Sequence, residues 1–430
     1  MQAFLKTFID VNGKSSVLEP CSSKFHVSDC EQDKHLFKIT KDDDKPSLSI
    51  EDRRFLELMD TEMKRDDNSH NWIAPLPFKP NRKQLPNNRT QALHRARSFD
   101  ATLRKDPVKR QHVNEFMTAL FENGHAERAP VLEPNSECWY LPLFGIYHPQ
   151  KKDRIRIVFD SSAKFQGLSL NDVLMTGPNL TNNLLGVLIR FRTEKVAVIA
   201  DLQQMFYSFY VRSDHRDYLR FVWHENNDLT KELVDFRMKV HVFGNSPSPA
   251  VATCGLQKTA DIAGEMSGMD VKEYIYRNFY VDDALSSHSS SEEAVSLLKR
   301  AKSALLEEGN LRLHKICSNS SKVLSAFEKD DLAKDLKKLD FNQGDELPLQ
   351  RSLGVCWNLC EDAFTYRVTQ DEKPYTRRGV LSIIIGLYDP LGFASPVTLA
   401  GKLLLREAMT EQLDWDQPLP DEFRSNFETH

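Results

Sequence analysis

The chain has 430 residues, 40% of them hydrophobic and 28% charged, with five Trp and 25 Phe, which excludes a disordered polypeptide and allows two or three domains. Its net charge of −5 excludes a uniformly basic nucleic-acid binder, and its longest apolar run, Val380 to Tyr388, stops at Asp389-Pro390, short of a bilayer span. Seven cysteines (21, 30, 138, 254, 317, 356 and 360) with no C-x-x-C pair matched to a His pair favour neither a disulfide framework nor a zinc site. No basic-then-apolar leader opens the sequence, so the expectation is a cytoplasmic (or nuclear, or particle-enclosed) protein that is not secreted.

Residues 1–48 are polar and broken by Gly13 and Pro20, which predicts a weakly ordered lead-in. A helical extension is expected over 49–138. Ser49-x-x-Asp52 can cap a helix running to about Lys64, and Pro75, Pro77, Pro80 and Pro86 mark an extended connector. Asp106-Pro107 then opens a helix in the favoured N-cap/N1 order, and Gly124 ends it. Strand-like segments follow at Trp139–Tyr147, Arg154–Phe159, Val196–Ala200, Tyr218–Trp223, Phe236–Val242 and Tyr274–Tyr280. A Ser290-x-x-Glu293 box opens a helix that Gly309 closes, and strand Leu311–Ile316 comes next. Strand, helix, strand hairpin, helix, strand is the split βαβ pattern. Beyond residue 320 the pattern predicts a charged helical stretch, a strand pair over Ser352–Trp357 and Ala363–Val368, and a mostly helical tail.

The chemistry is concentrated at two strand ends. Tyr280-Val281-Asp282-Asp283 closes one apolar run, and Val196–Ala200 ends at Asp201. An isolated Asp-Asp pair is ordinarily a solvated turn. Two carboxylates crowded at a buried turn repel unless cations offset them, and a third acid delivered by another strand points to a two-metal site for phosphoryl transfer. Positive charge is local: Lys151, Lys152, Arg154 and Arg156 lie within six residues, and Arg190, Arg192 and Lys195 precede the Asp201 strand.

At Asp201-Leu202-Gln203-Gln204-Met205-Phe206 the chain resembles reverse transcriptases, specifically the Pol region of BEL/Pao-type long-terminal-repeat retrotransposons. The blocks that carry the likeness are ordered. They are Arg154–Ser162 with Ser169-Leu170-Asn171-Asp172, Val242–Ala250, Leu311–Asn319, Leu353–Trp357, Arg377–Ser382, Tyr388–Gly392 and Asp414–Pro420. Trp72–Pro77 and Leu85–Asn88 fit the segment upstream, so the likeness runs from about residue 48 to the end.

The resemblance implies an α+β, right-hand polymerase fold. Fingers and a ferredoxin-like palm with an antiparallel sheet would occupy 139–320. A thumb or connection-like region would occupy 321–430, truncated before RNase H. With no protease or integrase motif, the expectation is a module of a larger polyprotein. It further implies that Asp201, Asp282 and Asp283, with Leu202, hold two Mg²⁺ ions (or Mn²⁺). Lys315 would protonate departing pyrophosphate. Lys152 and Arg156 would hold the triphosphate, and Phe206 would exclude a 2′-hydroxyl. Phe243, Gly244 and Tyr280 would line the nucleotide site, Phe243 standing where many reverse transcriptases carry Gln. Leu353, Gly354 and Trp357 would sit at the primer end, although Trp357 reads better as packed than as stacked on a base. The implied partners are an RNA or DNA template–primer and deoxynucleoside triphosphates, with no membrane. Two rivals stand beside this reading: a catalytically silent, element-derived remnant that binds nucleic acid or a partner, and a palm-type cyclase or RNA-directed RNA polymerase. Phe206 speaks against ribonucleotide use by the latter.

Overall fold

The computed structural model describes residues 47–148, 151–339, 348–366, 373–409 and 414–420, with backbone only for 148 and 151–154. Apart from its last two residues, the lead-in expected over 1–48 lies outside the described residues, and everything below concerns the unit Leu48–His430.

The organising element is a four-stranded sheet. Central strand Val196–Leu202 has the hairpin strand Asp283–His288 on one side and Leu313–Ser318 on the other, and Phe279–Tyr280 pairs outside Asp283–His288. All three pairings are antiparallel. In chain order the spatial sequence is fourth, first, third, second, the split βαβ arrangement expected from the sequence. The connection from the first strand to the second carries strands Phe209–Val211, Arg220–His224 and Leu233–Met238 and then helices Ser248–Ser267 and Met269–Asn278, and Ser291–Gly309 connects the third to the fourth.

Local chemistry explains most of these elements. Ser49 and Asp52 form the reciprocal box at the start of helix Ile50–Glu62. Asp106 accepts the Lys109 N–H at the head of Pro107–Glu122, and Gly124 follows that helix at φ +67. Ser290 caps Ser291–Gly309 by accepting the Glu293 N–H, while Glu293 reaches back to Ser289 rather than to the cap. The left-handed residue that closes this helix is Asn310, one position after the expected Gly309.

Three expectations are corrected. Most of Tyr274–Tyr280 is helix: Val271, Tyr274 and Ile275 are buried at spacings of three and four, and only Phe279–Tyr280 is strand. A short apolar run fits either period, and packing against Ser248–Ser267 and Ser291–Gly309 selects the helix. Helix Arg89–Lys105, which the sequence reading does not name, follows the Pro-rich connector and buries Ala92, Ala96, Phe99 and Leu103. The stretch after residue 320 forms a single turn, Ser321–Ser325, and a 3₁₀ turn, Lys329–Asp331, rather than a charged helix. A three-stranded meander follows (Leu349–Ser352, Val355–Asn358, Ala363–Thr365), and then helices Arg377–Gly386 and Ser395–Ala408. No described helix is long and apolar enough to cross a membrane.

Two large cores divide the work. One surrounds the central sheet and includes Phe55, Met59, Ala197, Val198, Val251 and Leu298. The other lies under strands Leu143–His148, Lys151–Phe159, Arg220–His224 and Leu233–Met238 and includes Trp139, Phe159 and Phe221. In the first core, helix Ser248–Ser267 approaches strand Phe209–Val211 so closely that a Cβ on Gly255 would lie 2.1 Å from Phe209 Cε1, with Phe209 itself fully buried. Gly255→Ala should therefore overpack this contact and cost roughly 1–3 kcal/mol, read as a lower denaturant midpoint at unchanged m. A midpoint equal to that of the wild type would contradict the close approach.

Candidate active site

Strand pairing brings the acids together. Asp283 is the cross-strand partner of Asp201 on one side of the central strand, and His314 is its partner on the other. Cross-strand partners project from the same face of a sheet, so both flank the Asp201 carboxylate. Asp282 sits in the two-residue turn between Tyr280 and Asp283, and its carbonyl accepts the Leu202 N–H at 2.8 Å. The turn is tight enough to place Val281 at φ +58, an uncommon conformation for a β-branched residue. Asn182 donates from Nδ2 to the carbonyls of Tyr276 and Phe279, both at 2.8 Å, and Asn278 donates to Leu285 O at 2.8 Å; together they anchor the base of the hairpin.

A β-bulge completes the cluster. The register between Leu313–Ser318 and the central strand shifts between His314 and Cys317, and Lys315 takes φ +52. Neighbouring strand residues normally point to opposite faces. Here the extra residue turns both side chains onto one carboxylate: His314 Nε2 lies 2.9 Å from Asp201 Oδ1, and Lys315 Nζ donates to Oδ2 at 2.8 Å.

The electrostatics follow. Burial pushes the Asp201 carboxyl up, but the His314 and Lys315 hydrogen bonds prevail and hold it below the usual range. Asp282 is raised by burial and by the charge of Asp201. Asp283 is pushed up to about 7 by burial, then by Asp282 and Asp201, against weaker relief from Ser352, whose Oγ lies 3.4 Å from Asp283 Oδ1, and from Lys315. Carboxylate oxygens are hard donors of the kind Mg²⁺ takes. No group of three or more His, Cys, Asp or Glu among the described residues is arranged to hold a metal ion, and Asp201 is bonded to Lys315.

The expected nucleotide residues partly converge. The rings of Phe206 and Phe243 are 5.8 Å apart at 55°, and the Arg156 guanidinium lies over Phe243, 5.4 Å from its centroid. Phe243 is half exposed. Gly244 follows at φ +115, where a Cβ would stand 3.2 Å from the Phe159 carbonyl, so the loop needs glycine here. Tyr280 ends the outer hairpin strand, partly exposed. Leu202 is buried and contributes its backbone tie to Asp282. The Lys152 side chain lies outside the described residues.

Leu353 and Gly354, at φ +49 and +81, make the two-residue turn between Ser352 and Val355, beside the Ser352 hydroxyl that faces Asp283. Trp357 is fully buried as expected, edge-on to Phe191 at 4.9 Å and donating to Asp362 Oδ1 at 3.0 Å. Of the basic residues before the central strand, Arg192 is held by both oxygens of Asp362 at 2.6 and 2.9 Å, so it anchors the meander. Sequence reasoning missed His314 and Ser352. His314 adjoins the expected Lys315, but its direction depends on the bulge.

The raised Asp283 carboxyl makes stability fall as pH rises. Between the ordinary carboxylate value of 3.8 and about 7 the folded chain binds the extra proton, so that stability is present at low pH and lost through pH 7. In metal-free protein Asp283→Asn should raise stability by on the order of 1–3 kcal/mol at pH 8 and by almost nothing at pH 4. Equal thermal midpoints for mutant and wild type at pH 8 would overturn this assignment.

Residues 376–430 match a protein-family model described as Pao retrotransposon-like RNaseH-like domain. The segment lies inside the region expected to be thumb or connection, and its described part contains helices Arg377–Gly386 and Ser395–Ala408. No curated protein matches the chain. Among solved structures, a foamy viral protease-reverse transcriptase dRH in complex with ds DNA is similar at 16% identity and a TM-score of 0.49. That likeness covers 90% of this chain and 57% of that one. The match at the C-terminal end supports the resemblance to BEL/Pao-type retrotransposon Pol regions that the ordered blocks upstream of it carry.

Proposed function

We propose that the chain is an RNA-directed DNA polymerase (reverse transcriptase) module, with its palm built on the four-stranded sheet. The observation that carries this reading is the cross-strand pairing of Asp201 with Asp283, with Asp282 in the adjoining turn. Asp201, Asp282 and Asp283 would hold Mg²⁺, or Mn²⁺, with Leu202 backbone beside them. Bound there, two such ions lower the pKa of a primer 3′-hydroxyl and neutralise leaving pyrophosphate. Arg156 binds the triphosphate of the incoming nucleotide, Phe206 closes the space a 2′-hydroxyl would need, and Lys315 supplies a proton to pyrophosphate. Lys315 must first leave Asp201, to which it is bonded here. The Leu353-Gly354 turn, which adjoins Ser352 beside Asp283, would meet the primer end. Template–primer binding through phosphates should weaken steeply with salt.

The clasp of His314 and Lys315 on Asp201 supports a second reading. The acids would then be balanced internally, in a silent remnant that binds nucleic acid without extending it.

Primer extension on oligo(dT)-primed poly(rA) with Mg²⁺ or Mn²⁺ separates the two. Extension is expected in the wild type and should fall to background in Asp282→Asn, with the fold retained by circular dichroism. Turnover persisting in that variant would sink the polymerase reading, and tight template–primer binding without extension in the wild type would favour the remnant. Phe206→Ala should relax deoxyribonucleotide over ribonucleotide discrimination by about 10–200-fold, the range for opening a steric pocket. Unchanged discrimination would remove Phe206 from that role.

A further inference from the structure

The nucleotide side of the site depends on a residue to which nothing above assigns a role. Asn171 lies in the single helical turn Leu170–Val173, which a Ser169/Asp172 capping box fixes. Its side chain bridges two segments that are distant in sequence. Nδ2 donates to the Gly244 carbonyl at 3.0 Å and lies 3.0 Å from Ser162 Oγ, and Oδ1 accepts the Ser246 N–H at 2.9 Å. The clamp therefore grips the backbone on both sides of Asn245, immediately after Phe243.

The rest of the loop is held at its edges. Ser248 Oγ donates to the Val242 carbonyl at 2.8 Å, and Ser161 Oγ bonds to Asn245 Oδ1. Phe243 itself is half exposed, so packing alone does not hold its ring. That ring is the surface under Arg156 and the neighbour of Phe206. Gly244, at φ +115, is the single residue that separates Phe243 from Asn245, and its carbonyl is one of the groups Asn171 holds.

Resting on the polymerase reading, we infer that Asn171 is a positioning residue for the incoming nucleotide. It holds the Phe243–Ser246 loop so that the Phe243 ring orients the Arg156 guanidinium and closes against Phe206. A guanidinium over an aromatic face is restrained in direction while its N–H groups stay free for phosphate oxygens.

The test uses the full chain and steady-state extension on oligo(dT)-primed poly(rA), with dTTP binding measured separately as a thermal shift. Asn171→Ala should raise KM for dTTP roughly tenfold, the scale of a lost hydrogen-bond clamp, while kcat stays within about twofold. Phe243→Leu, at a half-exposed position that should not compromise folding, should do the same. Because both act through one ring, the double variant should be no worse than the worse single. Phe243→Tyr, which keeps the aromatic face, should restore KM.

An Asn171→Ala enzyme with wild-type KM, or a double variant whose effects multiply, would overturn the inference. A reduced kcat with unchanged KM would also overturn it, since that is the mark of a merely structural defect. A wild type that takes dTTP in the thermal shift but does not extend primer defeats the polymerase reading alone. Wild-type dTTP affinity in both single variants defeats this inference alone.

Discussion

The mutual repulsion of three carboxyl groups at one end of a sheet is the constraint around which this molecule is arranged. Burial raises the Asp282 and Asp283 carboxyls, the charge of Asp201 adds to both and that of Asp282 adds at Asp283, while His314 and Lys315 hold Asp201 itself low. A fold concerned only with stability would place apolar residues at these strand tips. The structure instead retains the charges and offsets them locally, with Lys315 and His314 on Asp201 and Ser352 beside Asp283. Strained and unsatisfying local arrangements of this kind gather where chemistry is carried out.

The surrounding elements can be understood as support for that end of the sheet. The antiparallel order keeps Asp283 opposite Asp201, because a slip of one residue would send one of them to the other face. The bulge in Leu313–Ser318 does the opposite: it breaks the alternation on purpose, so that two adjacent residues serve one carboxylate. Asn182 and Asn278 fasten the hairpin base, and the Ser248–Ser267 helix presses against the fold through Gly255. Asn171 plays a comparable part at the Phe243–Ser246 loop, which carries a half-exposed aromatic ring.

The C-terminal region is linked to this centre by its first half. Trp357 and the Arg192–Asp362 pair seat the meander against the central core, and the Gly354 turn is covered by Tyr388, whose ring leaves no room for a Cβ there. Helices Arg377–Gly386 and Ser395–Ala408 bury a small cluster of their own, Val380, Ile384, Ala408 and Leu419. This is where the Pao family match falls.

Much of the site was legible in the sequence because its signals are local. A capping box, an Asp-Pro helix start, a glycine at a forced φ, an acid pair after an apolar run and an aromatic five residues beyond Asp201 each depend on a few neighbouring residues. Read together, they also imply the split βαβ order that the sheet adopts. The Tyr274–Asn278 run could not be read this way, since its apolar residues fit both periods until neighbouring helices choose one. Nor could the bulge that turns His314 and Lys315 onto Asp201, or the reach of Asn171 across 73 positions to Gly244, because a register and a cross-chain hydrogen bond exist only after distant segments pack. The sequence by itself determined which side chains are present to do chemistry. Tertiary structure alone decided which of them touch, because that depends on strand register and packing rather than on any neighbour in the chain.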